Sequence, residues 1–233
     1  MTHTILITGC ARRLGRKLAL FLAKEKYNIA ITYNKSQDEA LSLQKELMAL
    51  DVKSQIYQID FNNLNRVEDL VLDVYRDFPD LLALINNASI FEEKSFSQAK
   101  QDDLMNNFNV HLFAPFFLMQ TFSRVVNRGK IINITDLRVK TETLRFFPYL
   151  LSKKSLSNLT KMLSNELAPK IEVNEIRPGI LLDNTKYDPK ADINNQLTKR
   201  QNLEDFYMAV KDLLDNKYFG REIELDNLNN KNL

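Results

Sequence analysis

Short apolar segments alternate with longer segments of helical periodicity along almost the entire chain. Short β-rich runs with apolar residues predict strands at 4–8, 28–33, 54–58, 81–86, 130–135 and 172–176. Between them, apolar residues recur at spacings of three and four, which predicts helices at 14–26, 37–50, 65–78, 100–126 and 147–167. A helix at about 203–214 and a strand at 222–225 complete the series. This alternation predicts a Rossmann-like α/β fold, a single doubly wound parallel β-sheet with helices on both faces.

The length and composition fit one folded domain. With 44% hydrophobic residues, the 233-residue chain can fill a single core, so we expect one domain over residues 1–233. The polar segment 183–199 lacks periodicity and is a candidate substrate lid. The segment 226–233 is expected to be a frayed tail.

Charge and residue counts exclude several function classes. The 32 basic and 30 acidic side chains nearly balance, which argues against a nucleic-acid or anionic-membrane partner. The chain has one cysteine, Cys10, and two histidines, so neither a disulfide framework nor a metal site is expected. No apolar run is long enough to cross a bilayer, and the first residues lack a basic signal-peptide start. We therefore expect a soluble cytoplasmic protein.

A turn containing two glycines, TGCARRLG at 8–15, joins the first strand to the first helix. Such a turn presents free N–H groups and the positive end of the helix dipole to a pyrophosphate. Arg13 replaces the middle glycine of the simple dinucleotide fingerprint, and its guanidinium can bind a ribose 2′-phosphate. The alternative is an ordinary turn with two solvated arginines. The candidate binding residues here are Gly9, Arg12, Arg13, Leu14 and Gly15.

The end of the second predicted strand indicates which dinucleotide is used. NAD-selective enzymes commonly place an acidic residue there to bind the ribose 2′-hydroxyl. This chain instead has Asn34, Lys35 and Ser36, which can bind a 2′-phosphate. NADPH is therefore favoured over NADH, with a solvated strand end as the alternative.

Tyr149 and Lys153 are spaced to share one face of a predicted helix. A tyrosine whose pKa is lowered by a neighbouring ammonium can act as a general acid. On its own this spacing is common by chance, and a surface pair is the alternative. Its position after the fifth predicted strand favours an active-site pair.

The motifs together resemble the short-chain dehydrogenase/reductase family. They comprise the turn at 8–15, Asp60, Asn-Asn-Ala at 86–88, Tyr149 with Lys153, and Arg-Pro-Gly at 177–179. The resemblance extends over residues 4 to about 225. It implies that Lys153 binds the nicotinamide ribose and tunes Tyr149. It also implies a homotetramer, with a dimer as the alternative.

Asp136 points to one branch of that family. Most members have a serine at the end of the fifth strand, where this chain has Asp136. An aspartate there is similar to the pteridine reductases, including the dihydromonapterin reductases. The turn Arg-Arg-Leu-Gly at 12–15, the segment 33–36 and Asn-Ala-Ser-Ile-Phe at 87–91 agree with that branch. Its phenylalanine, here Phe91, stacks on the pterin ring; core packing is the alternative.

The resemblance thus implies an NADPH-dependent reductase of a small-molecule pterin. The implied catalytic residues are Asp136, Tyr149 and Lys153. The implied substrate-binding residues are Arg13, Ser89, Phe91, Asp136 and Tyr149. The implied NADPH-binding residues also include Asp60, Asn87, Ala88, Ser89, Tyr149, Lys153, Pro178 and Gly179.

Reduction of a 7,8-dihydropterin adds a hydride to C6 and a proton to N5. In this hypothesis Asp136 and Tyr149 form one proton-delivery unit. The alternative role of Asp136 is to cap a loop or helix. Dihydromonapterin is the expected substrate, with dihydrofolate as a weaker one. Two other functions remain open: a carbonyl or 3-oxoacyl-thioester reductase, and a non-catalytic NADP(H)-binding sensor.

Two residues depart from the parent family. His111 aligns with its active-site asparagine, as in dihydromonapterin reductases; a buried, fully hydrogen-bonded histidine is the alternative. Arg177, before Pro178 and Gly179, either points into the site or is solvated.

Overall fold

The computed structural model describes residues 2–142, 145–182 and 201–225. Its centre is one seven-stranded parallel sheet with the order β3-β2-β1-β4-β5-β6-β7. The strands are β1 (Thr4–Ile7), β2 (Asn28–Tyr33), β3 (Ser54–Gln58), β4 (Leu81–Asn86), β5 (Gly129–Ile134), β6 (Ile171–Arg177) and β7 (Glu222–Glu224). The α-helices are α1 (Arg13–Lys24), α2 (Gln37–Met48), α3 (Val67–Asp77), α4 (Gln101–Phe108), α5 (Ala114–Val125), α6 (Phe147–Glu166) and α7 (Leu203–Asp215). The predicted fold class is confirmed.

Successive side chains along each strand fill two different cores. In β1, Ile5 and Ile7 pack with α1, α2 and α7, whereas Leu6 packs on the other face with α3, α5 and α6. This is the two-residue period of a strand with both faces covered. The edge strands β3 and β7 are the exceptions, since their side chains are only partly buried or exposed.

The strand order changes direction between β1 and β4. The chain moves outward from β1 through β2 to β3, then returns to β4 on the other side of β1. In sheets of this type ligands bind beyond the carboxyl ends of the strands at this switch point. The turn after β1 and the segments after β2, β4 and β5 all lie at that edge.

The helix predicted at 100–126 is interrupted. A wide π-helical segment, Asn109–Phe113, separates α4 from α5. Pro115 lies in the first turn of α5. Proline has no N–H to donate to a carbonyl one turn earlier, which explains why regular α-helical bonding fails here. The wide segment contains His111, so the interruption determines where that side chain lies.

Other boundaries differ by a few residues. A short 3₁₀ segment, Leu64–Arg66, precedes α3, and a second, Leu137–Lys140, follows β5. The sequence predicts neither. The candidate lid at 183–199 and the tail at 226–233 lie outside the described residues. Within the described ranges, no helix combines the length and the apolar character needed to cross a membrane.

Replacing Phe122 tests the packing of the second core. Phe122 is fully buried on α5. Phe122→Ala should lower the free energy of unfolding by about 3–5 kcal/mol, because it removes apolar contacts and leaves a cavity. Phe122→Leu retains most of the volume and should cost about 1.5 kcal/mol or less. Urea unfolding of both variants measures this difference, and equal losses would contradict the assignment.

Candidate active site

A cleft of about 380 Å³ lies at the switch point of the sheet. It brings together residues from the ends of β1, β2 and β4 and from the segment after β3. Of the predicted cofactor residues, those that line it are Gly9, Arg12, Asn34, Lys35, Ser36, Asp60, Ala88 and Ser89. Four separate predicted segments therefore meet in one cavity.

Thr8, next to the cleft residue Gly9, connects the ends of β1 and β4. Its Oγ1 accepts hydrogen bonds from the backbone N–H groups of Asn87 and Ala88, both at 2.9 Å. The Asn87 amide in turn donates to the Thr8 carbonyl at 2.8 Å. Asn87 thus stabilises the turn through these hydrogen bonds, although it is not one of the residues that line the cleft.

The turn needs glycine at two positions. Gly9 has φ +64° and a Cβ there would lie 2.9 Å from Ala88 Cα. A Cβ on Gly15 would lie 2.6 Å from Cys10 Cα, so a side chain there would separate α1 from the turn. Both constraints match the predicted roles of a tight turn and close helix packing.

Arg13, which replaces the middle glycine of the fingerprint, has a backbone conformation that glycine adopts more readily. Its φ is +52°, in the left-handed region that costs a non-glycine residue about 1–2 kcal/mol. Arg13 is exposed at the start of α1, and Leu14 beside it is half-buried. Arg12, rather than Arg13, is the arginine of this turn that lines the cleft.

The residues that follow β6 form hydrogen bonds beyond the carboxyl end of the sheet, next to β5. The Pro178 carbonyl accepts a hydrogen bond from the Leu137 N–H at 2.9 Å. The Gly179 N–H donates to Gln201 Oε1 at 2.7 Å. These contacts connect the end of β6 to the segment after β5 and to the start of the segment that leads into α7.

Tyr149 and Asp136 form a direct hydrogen-bonded pair beyond the end of β5. The Tyr149 hydroxyl donates to Asp136 Oδ2 at 2.8 Å, and both side chains are buried. Asp136 Oδ1 accepts from the Arg138 N–H at 2.8 Å, which caps the 3₁₀ segment. The carboxylate caps a turn with one oxygen, which is the alternative role, and with the other it makes the contact to the phenol that the proton-delivery hypothesis requires.

The protonation state of Tyr149 differs from the prediction. Burial, and then the negative charge of Asp136 and the hydrogen bond to it, raise the pKa of Tyr149 well above its ordinary value. The Arg138 charge opposes this only in part. The predicted lowering by a neighbouring ammonium is wrong, because the phenol faces a carboxylate. Tyr149 therefore keeps its proton.

Lys153 is buried one helical turn after Tyr149, so the alternative of a surface pair is wrong. Its Nζ donates to the Ile134 carbonyl at 2.7 Å. Burial lowers the pKa of Lys153 to about 8, although the carboxylates of Asp136 and Glu175 oppose the shift. Lys153 thus titrates close to physiological pH.

Phe91 lies beside the Tyr149–Asp136 pair. Its ring stacks on Phe146 with centroids 4.5 Å apart and meets the Tyr149 ring edge-on at 4.8 Å. Phe91 remains half-exposed, whereas Phe146 is buried. The structure thus places an aromatic surface next to the predicted proton-delivery unit.

Arg138 was missed by the sequence analysis. Its guanidinium is 3.4 Å from Asp136 Oδ2 and lies 5.9 Å from the Phe91 ring centroid and 5.6 Å from that of Phe146. It is buried, so its charge acts directly on Asp136 and Tyr149. The one available signal was its position two residues after a strand-ending aspartate.

His111 is buried and hydrogen-bonded at both ring nitrogens. Nε2 accepts from the Ile90 N–H at 3.2 Å and lies 3.1 Å from Ser89 Oγ. Nδ1 lies 2.9 Å from Ser152 Oγ, whose own proton is donated to the Tyr149 carbonyl. These partners assign the proton to Nδ1. The contacts match the alternative of a buried, fully hydrogen-bonded histidine, and they also link His111 to the cleft residue Ser89.

Arg177 neither points into the cleft nor lies in solvent, so both interpretations were wrong. It is buried at the end of β6 and pairs with Glu175. It also contacts Glu222 and Glu224 on β7, at 2.6 and 3.0 Å. Its partners Glu222 and Glu224 lie far from Arg177 in the sequence, so the sequence alone does not predict that Arg177 is buried.

Because His111 is neutral in the folded protein, we expect the free energy of unfolding to depend on pH. Burial, and then the charge of Lys153, hold the pKa of His111 well below its ordinary value. Below about pH 6.5 the unfolded chain therefore binds a proton that the folded protein does not, and stability falls as the pH falls. The expected loss is about 1.4 kcal/mol per pH unit between about pH 6 and 5.

A His111→Asn variant should lose this part of the pH dependence. The other histidine, His3, is exposed and is unchanged in the variant. The measurement is the free energy of unfolding in urea at several pH values. Parallel curves for the two proteins would show that His111 is protonated in the folded state.

Comparisons with known proteins agree with this geometry. A family model described as short chain dehydrogenase matches residues 3–194. The chain is 28% identical to the dihydromonapterin reductase of Escherichia coli, over 95% of this chain and 94% of the relative. It is also 28% identical to the 3-oxoacyl-(acyl-carrier-protein) reductase FabG of Staphylococcus epidermidis, over 88% and 86%.

A solved structure shares the architecture. The FolM alternative dihydrofolate reductase 1 from Brucella canis, complexed with NADP, superimposes with a TM-score of 0.88 at 29% identity, covering 96% of this chain and 92% of that one. The family model covers most of the chain, and the sheet order and the cleft at the switch point are consistent with it. The protein therefore belongs to the short-chain dehydrogenase family, as its sequence motifs predict.

Proposed function

We propose that this protein is an NADPH-dependent reductase of a dihydropterin that converts 7,8-dihydromonapterin to the tetrahydro form, with dihydrofolate as a second substrate. The coarser part, an NADPH-dependent oxidoreductase, follows from the family and from the NADP-bound relative. The observation that carries the finer part is the hydrogen bond between Tyr149 and Asp136 at the carboxyl end of β5.

The residues of the cleft fit NADPH. Gly9 and Ala88 both line the cleft, and they lie so close that a Cβ on Gly9 would be 2.9 Å from the Ala88 Cα. Because Gly9 has no side chain, a phosphate can approach the backbone of the turn. The Lys35 side chain is exposed on the cleft wall beside Asn34 and Ser36, where it can bind a 2′-phosphate. When bound, NADPH supplies the hydride.

The protein's own residues hold and deliver the proton. At rest Tyr149 carries it and Asp136 accepts the hydrogen bond. N5 of the substrate takes one proton from the pair before C6 gains the hydride, so the nitrogen ends neutral. The pair is left one proton short, and solvent restores it. Because both groups share one hydrogen bond, the proton can leave from either of them. Lys153 contributes positive charge beside the pair.

The surroundings of the pair favour a flat ring over a flexible chain. The half-exposed Phe91 is an aromatic surface beside Tyr149, and Phe146 supports it from behind. Stacking of a ring on such a surface contributes about 1 kcal/mol beyond the area buried. This is why a bicyclic heterocycle is the proposed substrate.

A 3-oxoacyl-thioester reductase is the second candidate, favoured by the similarity to FabG. Such a substrate has a carbonyl whose oxygen becomes negative during reduction. A carboxylate beside that oxygen repels the developing charge, so Asp136 argues against it. A sensor that binds NADP(H) without turnover has no need of the Tyr149–Asp136 pair. The homotetramer and the cytoplasmic location remain predictions.

Removing either member of the pair should abolish proton delivery. We expect Tyr149→Phe and Asp136→Asn each to reduce dihydromonapterin turnover by about 10²–10⁴-fold, the usual contribution of general acid catalysis. NADPH affinity should change little in Asp136→Asn. The assay is the decrease in NADPH absorbance with dihydromonapterin, dihydrofolate and an acetoacetyl thioester in parallel.

Controls separate this loss from damage to the fold. Tyr75→Phe and Asp69→Asn make the same chemical changes on α3, away from the cleft, and should retain full activity. Full pterin turnover by Asp136→Asn would contradict the hypothesis that Asp136 and Tyr149 form one proton-delivery unit. Turnover of the thioester alone would establish the second candidate, and NADPH binding without any turnover would establish the sensor.

Lys35 should determine the preference for NADPH. Lys35→Ala removes a charge-assisted hydrogen bond to the 2′-phosphate, which is worth about 1.5–3 kcal/mol, or about 10- to 100-fold in affinity. NADH, which lacks that phosphate, should bind equally well to both proteins. Lys24→Ala, which removes an exposed lysine at the far end of α1, is the control. Fluorescence titrations measure both affinities. An equal loss of NADH affinity would show that Lys35 does not bind the 2′-phosphate.

A further inference from the structure

A second buried carboxylate lies in the sheet next to the active site. Glu175 on β6 is completely buried. Its Oε1 accepts hydrogen bonds from Ser157 Oγ at 3.1 Å, from Thr135 Oγ1 at 3.3 Å and from Arg177 Nε. Its Oε2 has no hydrogen-bond partner within the described parts of the chain. A carboxylate in such a place requires positive charge nearby.

Arg177 supplies only part of that charge. Its guanidinium also contacts Glu222 at 2.6 Å and Glu224 at 3.0 Å. Burial lowers the pKa of Arg177, but its carboxylate partners outweigh burial and raise it, so the guanidinium stays charged. Glu222 and Glu224 also have cations of their own, Lys161 at 3.0 Å and Lys140. Arg177 meets Glu175 on Oε1 alone, so the charge on Oε2 has no hydrogen-bonded cation among the described residues.

The contacts of Glu175 surround the position of Lys153. Ser157 lies one helical turn after Lys153 on α6, so the two side chains project from the same face. Lys153 Nζ donates to the carbonyl of Ile134, and Thr135 is the next residue along that strand. Both hydroxyl donors to Glu175 are therefore immediate neighbours of the groups that hold Lys153.

We propose that Glu175 is a positioning residue that stabilises the Lys153 ammonium in the active site. The role of that ammonium rests on the proposed function. The other titratable groups around Lys153 are Asp136 beyond β5, Tyr149 on α6 and His111 in the π-helical segment. Tyr149 and His111 are neutral, which leaves Asp136 and Glu175 as the anions.

The two anions differ in what the reaction does to them. Asp136 belongs to the proton-delivery pair, so its charge changes when the proton moves. Glu175 does not line the cleft and takes no part in the proton transfer, so the reaction step itself does not change its charge. Lys153 therefore retains one constant counter-charge during turnover, and this keeps it protonated when the pair is between its two states.

Two substitutions that break the same ion pair give opposite expectations. Glu175→Gln preserves the shape but removes the negative charge, so the titration midpoint of Lys153 should fall by about one pH unit from about 8. Arg177→Met leaves Glu175 without its cation, so the midpoint should rise. Ser157→Ala removes one hydrogen bond and keeps both charges, so it is the matched control with a nearly unchanged midpoint. If Glu175 only supported the fold, the two substitutions would not shift the Lys153 midpoint in opposite directions.

The measurement is the ¹³Cε chemical shift of Lys153 against pH in the free, labelled protein, with Lys153→Met used to assign the signal. The alkaline limb of the pH profile of turnover should move in the same direction. Thermal unfolding shows whether each variant is folded. If Arg177→Met does not fold, the comparison of Glu175→Gln with Ser157→Ala tests the proposal on its own. An unchanged midpoint in Glu175→Gln overturns this proposal. Absence of pterin turnover in the unmodified protein overturns only the proposed function.

Discussion

Helices cover both faces of the parallel sheet, and this restricts polar chemistry to the ends of its strands. Inside the two cores most strand side chains are apolar or hydrogen-bonded, with Glu175 Oε2 as an exception, whereas the carboxyl ends open onto the cleft. The backbone groups at those ends still need partners, and Thr8 and Asn87 provide them for β1 and β4. The same requirement places Asp136 at the end of β5, where it caps the following turn and contacts Tyr149.

Burial at this edge determines the charge of each titratable group. Desolvation disfavours the charged form, so the pKa of Tyr149 rises and those of Lys153 and His111 fall. The neighbours then set how far each shift goes. Asp136 adds to the shift of Tyr149 but opposes that of Lys153, because one is an acid that becomes an anion and the other is a cation. Asp136 thus favours both the neutral form of the phenol and the charged form of the ammonium.

The sequence was sufficient for whatever depends on local pattern. Apolar periodicity predicted the strands and helices of the sheet, and the spacing of Tyr149 and Lys153 placed them on one helix face. It failed where the outcome depends on distant residues: the raised pKa of Tyr149 requires Asp136 in contact, and the burial of Arg177 requires Glu222 and Glu224 on an adjacent strand. The interruption of the predicted helix before Pro115 was readable in principle, since proline cannot donate the missing hydrogen bond.

Overall similarity does not choose between the two candidate substrates, because relatives with either activity are 28% identical to this chain. The choice depends on the group that meets the reacting atom. A carbonyl oxygen gains negative charge during reduction, so it needs a donor. A ring nitrogen needs a donor as well, but when it is protonated before the hydride arrives it is cationic and then neutral, and a carboxylate beside it stabilises the cation. Asp136 accepts the hydrogen bond of Tyr149, whose ring contacts Phe91, and it therefore suits a C=N bond in a flat ring better than a ketone.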